Sequence, residues 1–310
     1  MVVVTVFGAS GYIGSNLIPE LLKVGHKVRA VARNKEILSG RSWLGVDLFE
    51  ADLLDSATLS APLQGTDIAV YLVHSMAAGS KFQNLDRTAA LNFSREAEKH
   101  GVSRIIYLGG IQPPDEKAST HLLSRAETGD CLRMGSVPVT ELRAGMVVGA
   151  GSAAFEVIRD IVYHLPVMIT PRWVSSRSQP IALDDLLWYL VQVAGSNETI
   201  GNVYALVGPE VLRYKDLIQY FAEEVGLKRY LIPVPIISPR LSSYWLDLVT
   251  AVPANVARPL VDGLKHDLLA SGKEIQQILP RKLISYRDAI HIAMENEKLT
   301  EMPARWTEGA

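Results

Sequence analysis

The fold of this chain is decided by the stretch Val2-Val3-Val4-Thr5-Val6-Phe7-Gly8-Ala9-Ser10-Gly11-Tyr12-Ile13-Gly14. Five β-branched residues run into Gly8, a pattern typical of a strand that is buried on both faces of a parallel sheet. An apolar, helix-like run begins immediately after the strand and contains Ile13, Leu17, Ile18, Leu21 and Leu22. Strand, glycines and helix in this order predict an α/β fold with a doubly wound parallel sheet.

The three glycines of this stretch suit the binding of a dinucleotide. One allows a tight turn, one lets the backbone approach a pyrophosphate, and one lets the helix pack closely on the strand. The N-terminus of the following helix offers free N–H groups and the positive end of its dipole to an anion. We therefore expect a dinucleotide to contact Gly8, Ser10, Gly11, Tyr12, Ile13 and Gly14. The alternative is a strand-to-helix turn that uses glycine for structural reasons only.

Composition restricts the class and the partners of the protein. At 310 residues, the chain suits one nucleotide-binding domain with a smaller second region. A formal net charge of −2 and a pI near 6.4 argue against a nucleic-acid partner. The single cysteine, Cys131, rules out an internal disulfide and suits a reducing compartment. Because the chain opens directly on the predicted strand, we expect no signal peptide and a cytoplasmic location.

The end of the second predicted strand, Lys27 to Arg33, bears on the choice of cofactor. Sites that prefer NAD usually place Asp or Glu here to bond the ribose 2′-hydroxyl, whereas this chain has Arg33. A guanidinium group can clamp a 2′-phosphate, and we expect no nearby carboxylate at this strand end to repel one. We therefore expect NADP(H) to be preferred over NAD(H). An ordinary solvated strand end is the alternative.

Further candidate binding residues follow later strands, because ligands of open α/β sheets lie outside the carboxyl ends of the strands. Asp52 and Leu53 follow the third strand, and Asp52 either accepts a bond from the adenine amino group or caps the next helix near Ser56. The fourth strand ends at Val73 and continues into the candidate cofactor-binding residues His74 and Ser75. His74 is also a candidate for substrate contact, the alternative being a structural histidine.

Two glycines complete the candidates of the first half. Gly110 follows the fifth predicted strand and is a candidate substrate contact. Gly145 follows the sixth strand and is a candidate cofactor contact. Strands alternate with helices up to about residue 150, which indicates βαβ units. We predict a dinucleotide-binding domain over 1–150 and a substrate-binding region over 151–310, with 179–207 returning to the sheet. No residue is assigned to a metal.

The segment from Tyr230 to Leu264 is apolar and is interrupted by five prolines. It is too interrupted for a transmembrane span, which needs about 18 uninterrupted apolar residues. Because proline breaks it into short pieces, we expect it to wall a substrate pocket beside the nicotinamide, with Tyr244 and Trp245 facing the ligand. The candidates for the opposite wall are Phe155, Met168 and Trp173. Alternatively, the segment forms a homodimer interface or docks on a membrane or a larger complex.

Four motifs together resemble the short-chain dehydrogenase/reductase superfamily, in its atypical, extended, NmrA-like NAD(P)-binding branch. They are the glycine stretch 8–14, Glu50-Ala51-Asp52-Leu53-Leu54-Asp55, Tyr107-Leu108-Gly109-Gly110 and Pro180-Ile181-Ala182-Leu183-Asp184-Asp185-Leu186. The run Leu72-Val73-His74-Ser75-Met76 looks like the hallmark of one uncharacterised subgroup. This resemblance implies a Rossmann-like sheet with NAD(P) bound across it, and a smaller, mostly helical C-terminal substrate region.

The chain departs from this family at the catalytic residues. Active members carry Ser or Thr after the fifth strand, then a Tyr with a Lys four residues later. Here the strand ends in Gly109 and Gly110, and the helix carries His121 and Arg125 at those two positions. Imidazole can act as a proton donor, since its ordinary pKa of about 6.5 lies near neutral pH. Arg125 can bind ribose or phosphate but cannot shuttle a proton, and its charge would favour neutral imidazole.

Two functions therefore remain after the sequence is read. The first is an NADP-dependent oxidoreductase that transfers hydride to an apolar carbonyl, enone or quinone-like substrate, because the nicotinamide carries that chemistry. The second is a non-catalytic NADP(H)-binding protein, either a redox sensor or a cofactor-stabilised subunit of a larger complex. The missing Tyr-Lys pair favours the second function but does not exclude the first, because hydride transfer needs only that cofactor and substrate are held together. We predict the oxidoreductase, with the non-catalytic protein as the alternative. An intramolecular rearrangement such as epimerisation usually relies on the same missing Tyr.

Overall fold

The computed structural model describes residues 2–75, 82–113, 119–170, 172–233 and 266–299. Its strands are β1 (Val3–Phe7), β2 (Lys27–Ala32), β3 (Asp47–Glu50), β4 (Ile68–Tyr71), β5 (Arg104–Gly110), β6 (Val139–Ala144), β7 (Val147–Val148), β8 (Val167–Thr170), β9 (Arg177–Ser178), β10 (Ile181–Ala182), β11 (Val203–Leu206), β12 (Leu212–Arg213) and β13 (Tyr230–Pro233).

The helices alternate with these strands through most of the described chain. They are α1 (Tyr12–Lys23), α2 (Lys35–Ser39), α3 (Ser60–Leu63), α4 (Phe82–Lys99), α5 (Thr120–Leu132), α6 (Ala153–His164), α7 (Leu183–Gly195), α8 (Tyr214–Glu224), α9 (Lys273–Ile278) and α10 (Tyr286–Leu299). Short 3₁₀ turns span Ser56–Leu59 and Arg172–Ser175.

The central sheet has seven parallel strands in the order β3-β2-β1-β4-β5-β6-β11. β1 lies between β2 and β4, so that Phe7 pairs with Val31 of β2 on one side and with Tyr71 of β4 on the other. The strand order reverses between β1 and β4, and ligands bind at such a switch point, beyond the carboxyl ends of the strands. The predicted Rossmann-like, doubly wound parallel sheet is confirmed.

Helices cover both faces of the sheet. α1 and α7 pack together on one face, where Leu17, Ile18 and Leu186 are fully buried. α4 and α5 cover the other face, where Phe93 packs edge-on against Phe7 and Tyr71. β11 pairs with β6, so residues 203–206, together with the covering helix α7, belong to the same layered unit as the N-terminal strands.

A second, smaller core lies beside the sheet and is built mainly by α6, α8 and α10. Its side chains include Phe155 of α6, Phe221 of α8 and Ile290 of α10, all fully buried. β8 and β13 pair in parallel next to these helices. Among the residues that the structure describes, no helix is both long enough and apolar enough to cross a membrane. The division into domains at residue 150 stays a prediction.

Candidate functional site

A cavity of ≈ 370 Å³ opens at the switch point, beyond the carboxyl ends of β1, β4, β5 and β6. It is continuous from the glycine loop to the second core. The lining residues from the first half are Gly8, Gly11, Tyr12, Ile13, Gly14, Leu72, Leu108, Gly109, Gly110, Ile111, His121, Leu122, Arg125, Ala144, Gly145, Met146 and Val147. Later parts of the chain add Ser152, Ala153, Ala154, Tyr214 and Leu268.

The loop between β1 and α1 has the backbone geometry that a pyrophosphate requires. Gly8 has a φ of 88°, in the left-handed region, and its N–H donates to the carbonyl of Val31. A Cβ atom on Gly14 would lie 2.3 Å from the carbonyl oxygen of Gly8, so only glycine lets α1 approach the strand this closely. The first turn of α1 contains no acidic residue and no side chain caps it, which leaves the helix N-terminus suited to an anion.

Arg33 lies at the end of β2 and is exposed, as a residue that meets a 2′-phosphate must be. Asn34 caps α2 by accepting from the N–H of Glu36 at 2.9 Å. The expectation that no carboxylate approaches this strand end is wrong. Glu50, which pairs with Ala32, accepts a hydrogen bond from the N–H of Lys35 at 3.1 Å. The reason is the parallel register of β2 and β3, which ends both strands at the same edge.

Asp52 and Leu53 are held by local hydrogen bonds. Asp52 accepts from the N–H of Leu54 at 2.9 Å, and the neighbouring Asp55 caps the 3₁₀ turn by accepting from the N–H of Ala57 at 3.1 Å. The alternative that Asp52 caps the helix near Ser56 is therefore wrong, because Asp55 lies one residue before that helix. Leu53 has its side chain in the core, and its carbonyl accepts from Asn92 at 3.0 Å.

The end of β5 is tightly packed at Gly109, where the resembled family carries the hydroxyl of a Ser or Thr. A Cβ atom on Gly109 would lie 2.9 Å from a carboxylate oxygen of the buried Glu141 on β6. Glu141 is fixed there by ion pairs with Arg133 and Arg143. Gly110 faces Arg125, whose side chain would lie 3.4 Å from an added Cβ. A serine at position 109 would therefore require this ion-paired carboxylate to shift.

Arg125 is anchored to the end of β5. Its guanidinium group donates to the carbonyl of Leu108 and lies over the ring of Tyr107, 5.9 Å from the ring centroid. The hydroxyl of Tyr107 donates to the carbonyl of Arg125 at 2.8 Å. A guanidinium group has five N–H donors, so further donors are left for a cofactor or substrate in the cavity that Arg125 lines.

His121 is joined to His74 and Asp86 by a chain of hydrogen bonds. Nδ1 of His121 lies 2.9 Å from Nε2 of His74, and Nδ1 of His74 lies 2.5 Å from Oδ2 of Asp86. The N–H of Ser75 donates to Oδ1 of Asp86 at 2.8 Å, and the hydroxyl of Ser124 donates to Oδ2 at 3.0 Å. Asp86 is only 2% exposed, so this carboxylate is held inside the protein by its hydrogen bonds.

The ionisation of this group follows from burial and hydrogen bonding. Burial, together with the neighbouring His74 and the charge of Arg125, lowers the pKa of His121 to about 3. Burial lowers the pKa of His74 and outweighs its hydrogen bond to Asp86. Burial raises the pKa of the Asp86 carboxyl, but its hydrogen bonds to His74 and to the N–H of Ser75 hold that pKa below its ordinary value. At neutral pH the group is one carboxylate and two neutral imidazoles.

Sequence reasoning missed Asp86 and Ser124. Asp86 lies between Phe82 and Ala90 on the apolar face of α4, and a carboxylate on such a face is the signal that could have found it. Ser124 lies one residue before Arg125 on α5 and is 1% exposed. Val73 packs beside the core of α4 and α5, and His74 lies behind His121 rather than on the cavity wall.

The predicted substrate wall is wrong for two residues. Phe155 and Met168 are 0% and 1% exposed, and both lie within the second core rather than on the cavity wall. Phe155 lies on the face of α6 that meets Phe221 of α8, which explains its burial. The second half instead contributes Tyr214 and Leu268, among others, to the cavity. The predicted wall residues Tyr244 and Trp245, and the side chain of Trp173, lie outside the described residues.

Comparison with known proteins agrees with this architecture. Residues 8–133 match a protein family described as NAD(P)H-binding. The triphenylmethane reductase of Citrobacter sp., solved in complex with NADP(H), superposes with a TM-score of 0.75 at 19% identity, covering 94% of this chain and 100% of that one. A nucleoside-diphosphate-sugar epimerase of Staphylococcus aureus superposes with a TM-score of 0.72 at 15% identity, covering 94% and 99%.

Two curated relatives carry different names. Subunit 9 of the NADH dehydrogenase [ubiquinone] 1 alpha subcomplex, mitochondrial, from Arabidopsis thaliana is 21% identical, covering 92% of this chain and 76% of the relative. Sterol demethylase protein B of Methylococcus capsulatus is 28% identical, covering 54% and 52%. Residues 8–133 therefore match an NAD(P)H-binding domain, and the superposed structures confirm the Rossmann-like fold that the resemblance implied.

Proposed function

We propose that this chain, which carries an NAD(P)H-binding domain over residues 8–133, is an NADP(H)-dependent oxidoreductase that transfers hydride to or from an apolar carbonyl, enone or quinone-like substrate. The observation that carries the proposal is one continuous cavity. It joins the anion-binding glycine loop to an apolar chamber in which His121 and Arg125 supply polar groups. Ligand sites of this kind are mostly apolar, with a few placed polar groups.

The residues present fit the cofactor. The loop from Gly8 to Gly14 and the N-terminus of α1 would hold the pyrophosphate. The glycines let the backbone come close, and the N–H groups at the start of the helix would donate to the phosphate oxygens. Gly145 lines the cavity beyond β6 and leaves room beside it. When bound, the nicotinamide supplies hydride transfer. The chain's own contribution is to hold the two reactants together, to limit access of water and to move a proton.

The preference for NADP(H) rests on Arg33. A charge-assisted hydrogen bond to a 2′-phosphate contributes about 1.5–3 kcal/mol, or roughly ten- to a hundredfold in affinity. Glu50 opposes this preference, since it lies at the neighbouring strand end and would repel the phosphate. Arg33 is exposed and can turn towards a phosphate, whereas Glu50 is already engaged by the N–H of Lys35. We therefore keep NADP(H) as the proposed cofactor.

The cavity walls support an apolar substrate. Leu72, Leu108, Ile111, Leu122, Met146 and Leu268 contribute aliphatic or thioether surface. Tyr214 lines the same wall, and its side chain is neutral because burial raises its pKa to about 12. No lysine lines the cavity among the residues that the structure describes, so Arg125 is the group that would meet ribose or phosphate. His121 is the group that would exchange a proton with the substrate.

Anaerobic stopped-flow spectroscopy tests this function. NADPH is mixed with the protein and with a panel of quinones, enones and ketones, and oxidation of the cofactor is followed by absorbance. We expect turnover with at least one apolar member of the panel, and a large loss of turnover in His121→Phe. Tight NADPH binding without turnover across the panel would reject the enzyme.

A second function is favoured by a specific observation. The Arabidopsis relative and one from Rattus norvegicus are both named as subunits of NADH dehydrogenase [ubiquinone], at 21% and 23% identity. A cofactor-stabilised subunit or redox sensor needs no proton-transfer group, and the glycine at position 109 suits such a protein. It would bind NADPH and gain thermal stability from it without consuming it. The cytoplasmic location and a homodimer remain predictions under either function.

A further inference from the structure

The hydrogen-bonded chain of Asp86, His74 and His121 ends at the cavity and combines three different elements. Asp86 lies on α4, His74 follows β4, and His121 lies in the first turn of α5. We propose that these three residues form a proton relay. Nε2 of His121 accepts the proton from the substrate, while His74 and Asp86 are positioning residues that hold the proton after its transfer. The catalytic part of this proposal rests on the oxidoreductase function proposed above.

The protons of the relay are fixed from its buried end. The N–H of Ser75 can only donate, and it donates to Oδ1 of Asp86. Asp86 is ionised, so Nδ1 of His74 must be the protonated nitrogen that donates to Oδ2. Nε2 of His74 is then an acceptor, and Nδ1 of His121 must donate to it. This leaves Nε2 of His121 unprotonated, as the ring nitrogen available to the cavity.

This arrangement favours removal of a proton from a substrate hydroxyl. As an alcohol is oxidised, its C–H hydride leaves with the electron pair to the oxidised nicotinamide, and its O–H proton passes to Nε2 of His121. The proton on Nδ1 of His121 then passes to Nε2 of His74 as the carbonyl double bond forms. The positive charge ends on His74, directly beside the carboxylate of Asp86. In the direction of reduction, each transfer is reversed.

The groups around the relay keep the stored proton from leaving through the protein interior. Asp86 of α4 is buried, and the tyrosines that face it from β4 and β5, Tyr71 and Tyr107, stay neutral because burial raises the pKa of each. Ser124 of α5 donates to the carboxylate. Arg125 of α5 opposes protonation of both imidazoles. Among the three members of the relay, His121 is the one that lines the cavity.

The pH dependence follows from these neighbours. Both imidazoles have pKa values below their ordinary value, so the relay is unprotonated at neutral pH and competent as a base. Oxidation should lose rate only in acid, as the relay becomes protonated. Reduction consumes a stored proton, so its kcat should rise as the pH falls.

The substitution Asp86→Asn tests the relay because it should reverse every proton in it. The amide oxygen must take the place of Oδ1, since the N–H of Ser75 cannot accept. The amide NH₂ then donates to Nδ1 of His74, so that His74 carries its proton on Nε2 and donates to Nδ1 of His121. Nε2 of His121 becomes a protonated nitrogen facing the cavity. Ser124→Ala is the matched control, because it removes one donor to Asp86 and leaves the order of protons unchanged.

Nitrogen-15 NMR of the imidazole rings reads this order in the full-length protein without substrate or turnover. In the wild type we expect His121 to show a protonated Nδ1 and a bare Nε2, with the two reversed in Asp86→Asn and unchanged in Ser124→Ala. A protonated Nε2 on His121 of the wild type overturns the relay. The wild-type spectrum alone can overturn the relay, so the test does not depend on whether Asp86→Asn folds.

Kinetics with menadione as the probe separates the relay from the proposed function. We follow the reduction of menadione by NADPH, whose kcat should rise towards low pH. In Asp86→Asn this rise should move to still lower pH, because the positive charge on His74 no longer has a carboxylate beside it. The Kd for NADPH should be unchanged. An unchanged pH profile overturns the catalytic part of the relay. No turnover with menadione or with the wider panel, together with the expected NMR result, rejects the oxidoreductase and leaves the proton order standing.

Discussion

Replacing Gly14 with alanine should open the cofactor site from inside the fold. The new Cβ atom would lie 2.3 Å from the carbonyl oxygen of Gly8 and 2.9 Å from Cα of Ala9. Optimal contacts between heavy atoms lie near 3.5–4.0 Å, so the methyl group is more than about 1 Å too close to backbone that cannot rotate away. Overpacking of this kind costs about 1–3 kcal/mol. The strain is relieved only if α1 and the Gly8 loop separate.

That separation displaces the helix N-terminus from the position that suits a pyrophosphate. We expect Gly14→Ala to weaken NADPH binding by at least roughly a hundredfold, equivalent to about 2.7 kcal/mol, as measured by calorimetry. The melting temperature without cofactor should fall by a few degrees. Gly195→Ala is the matched control, because nothing lies within 4 Å of its added Cβ and alanine is favoured in a helix. Wild-type affinity in Gly14→Ala would refute the reasoning.

Three further substitutions probe the polar groups. Arg33→Ala should weaken NADPH roughly ten- to a hundredfold and leave NADH unchanged, while Glu50→Gln should tighten NADPH; equal losses for both cofactors in calorimetry would contradict this. Arg125→Ala should weaken cofactor binding by a similar factor, because it removes a donor from the cavity wall, and an unchanged Kd would show that Arg125 holds no part of the cofactor. His121→Phe should reduce turnover roughly 10²- to 10⁴-fold at an unchanged Kd for NADPH, and wild-type turnover would make it a structural residue.

The sheet could be predicted because its signal is local. The β-branched run into Gly8 and the helical run from Ile13 place β1 and α1 to within a residue or two. The second strand is predicted over Lys27 to Arg33 and spans Lys27–Ala32, a difference of one residue at its end. Such patterns depend on the spacing of apolar residues over a short stretch, so they can be recognised without knowing which elements pack against it.

The substrate wall could not be predicted in the same way. Phe155 and Met168 are apolar, and an apolar residue of the second half can face either a pocket or a core. The choice depends on which face of α6 meets α8, and that is a property of packing between elements distant in sequence. Glu50 shows the same limit for charge, since its closeness to Arg33 comes from strand register rather than from spacing.

Two buried carboxylates, Glu141 and Asp86, account for the residues at the altered catalytic positions, Gly109 and His121. Glu141 packs against Gly109, so a side chain at position 109 would require the ion-paired carboxylate of Glu141 to shift. Glu141 thus disfavours a hydroxyl at position 109. Asp86, a second carboxylate, orients the imidazole of His121 through His74. Neither carboxylate belongs to the motif positions, and each acts on a residue that does. The two carboxylates therefore alter the site together, as we expect if the oxidoreductase proposed above transfers its proton through His121.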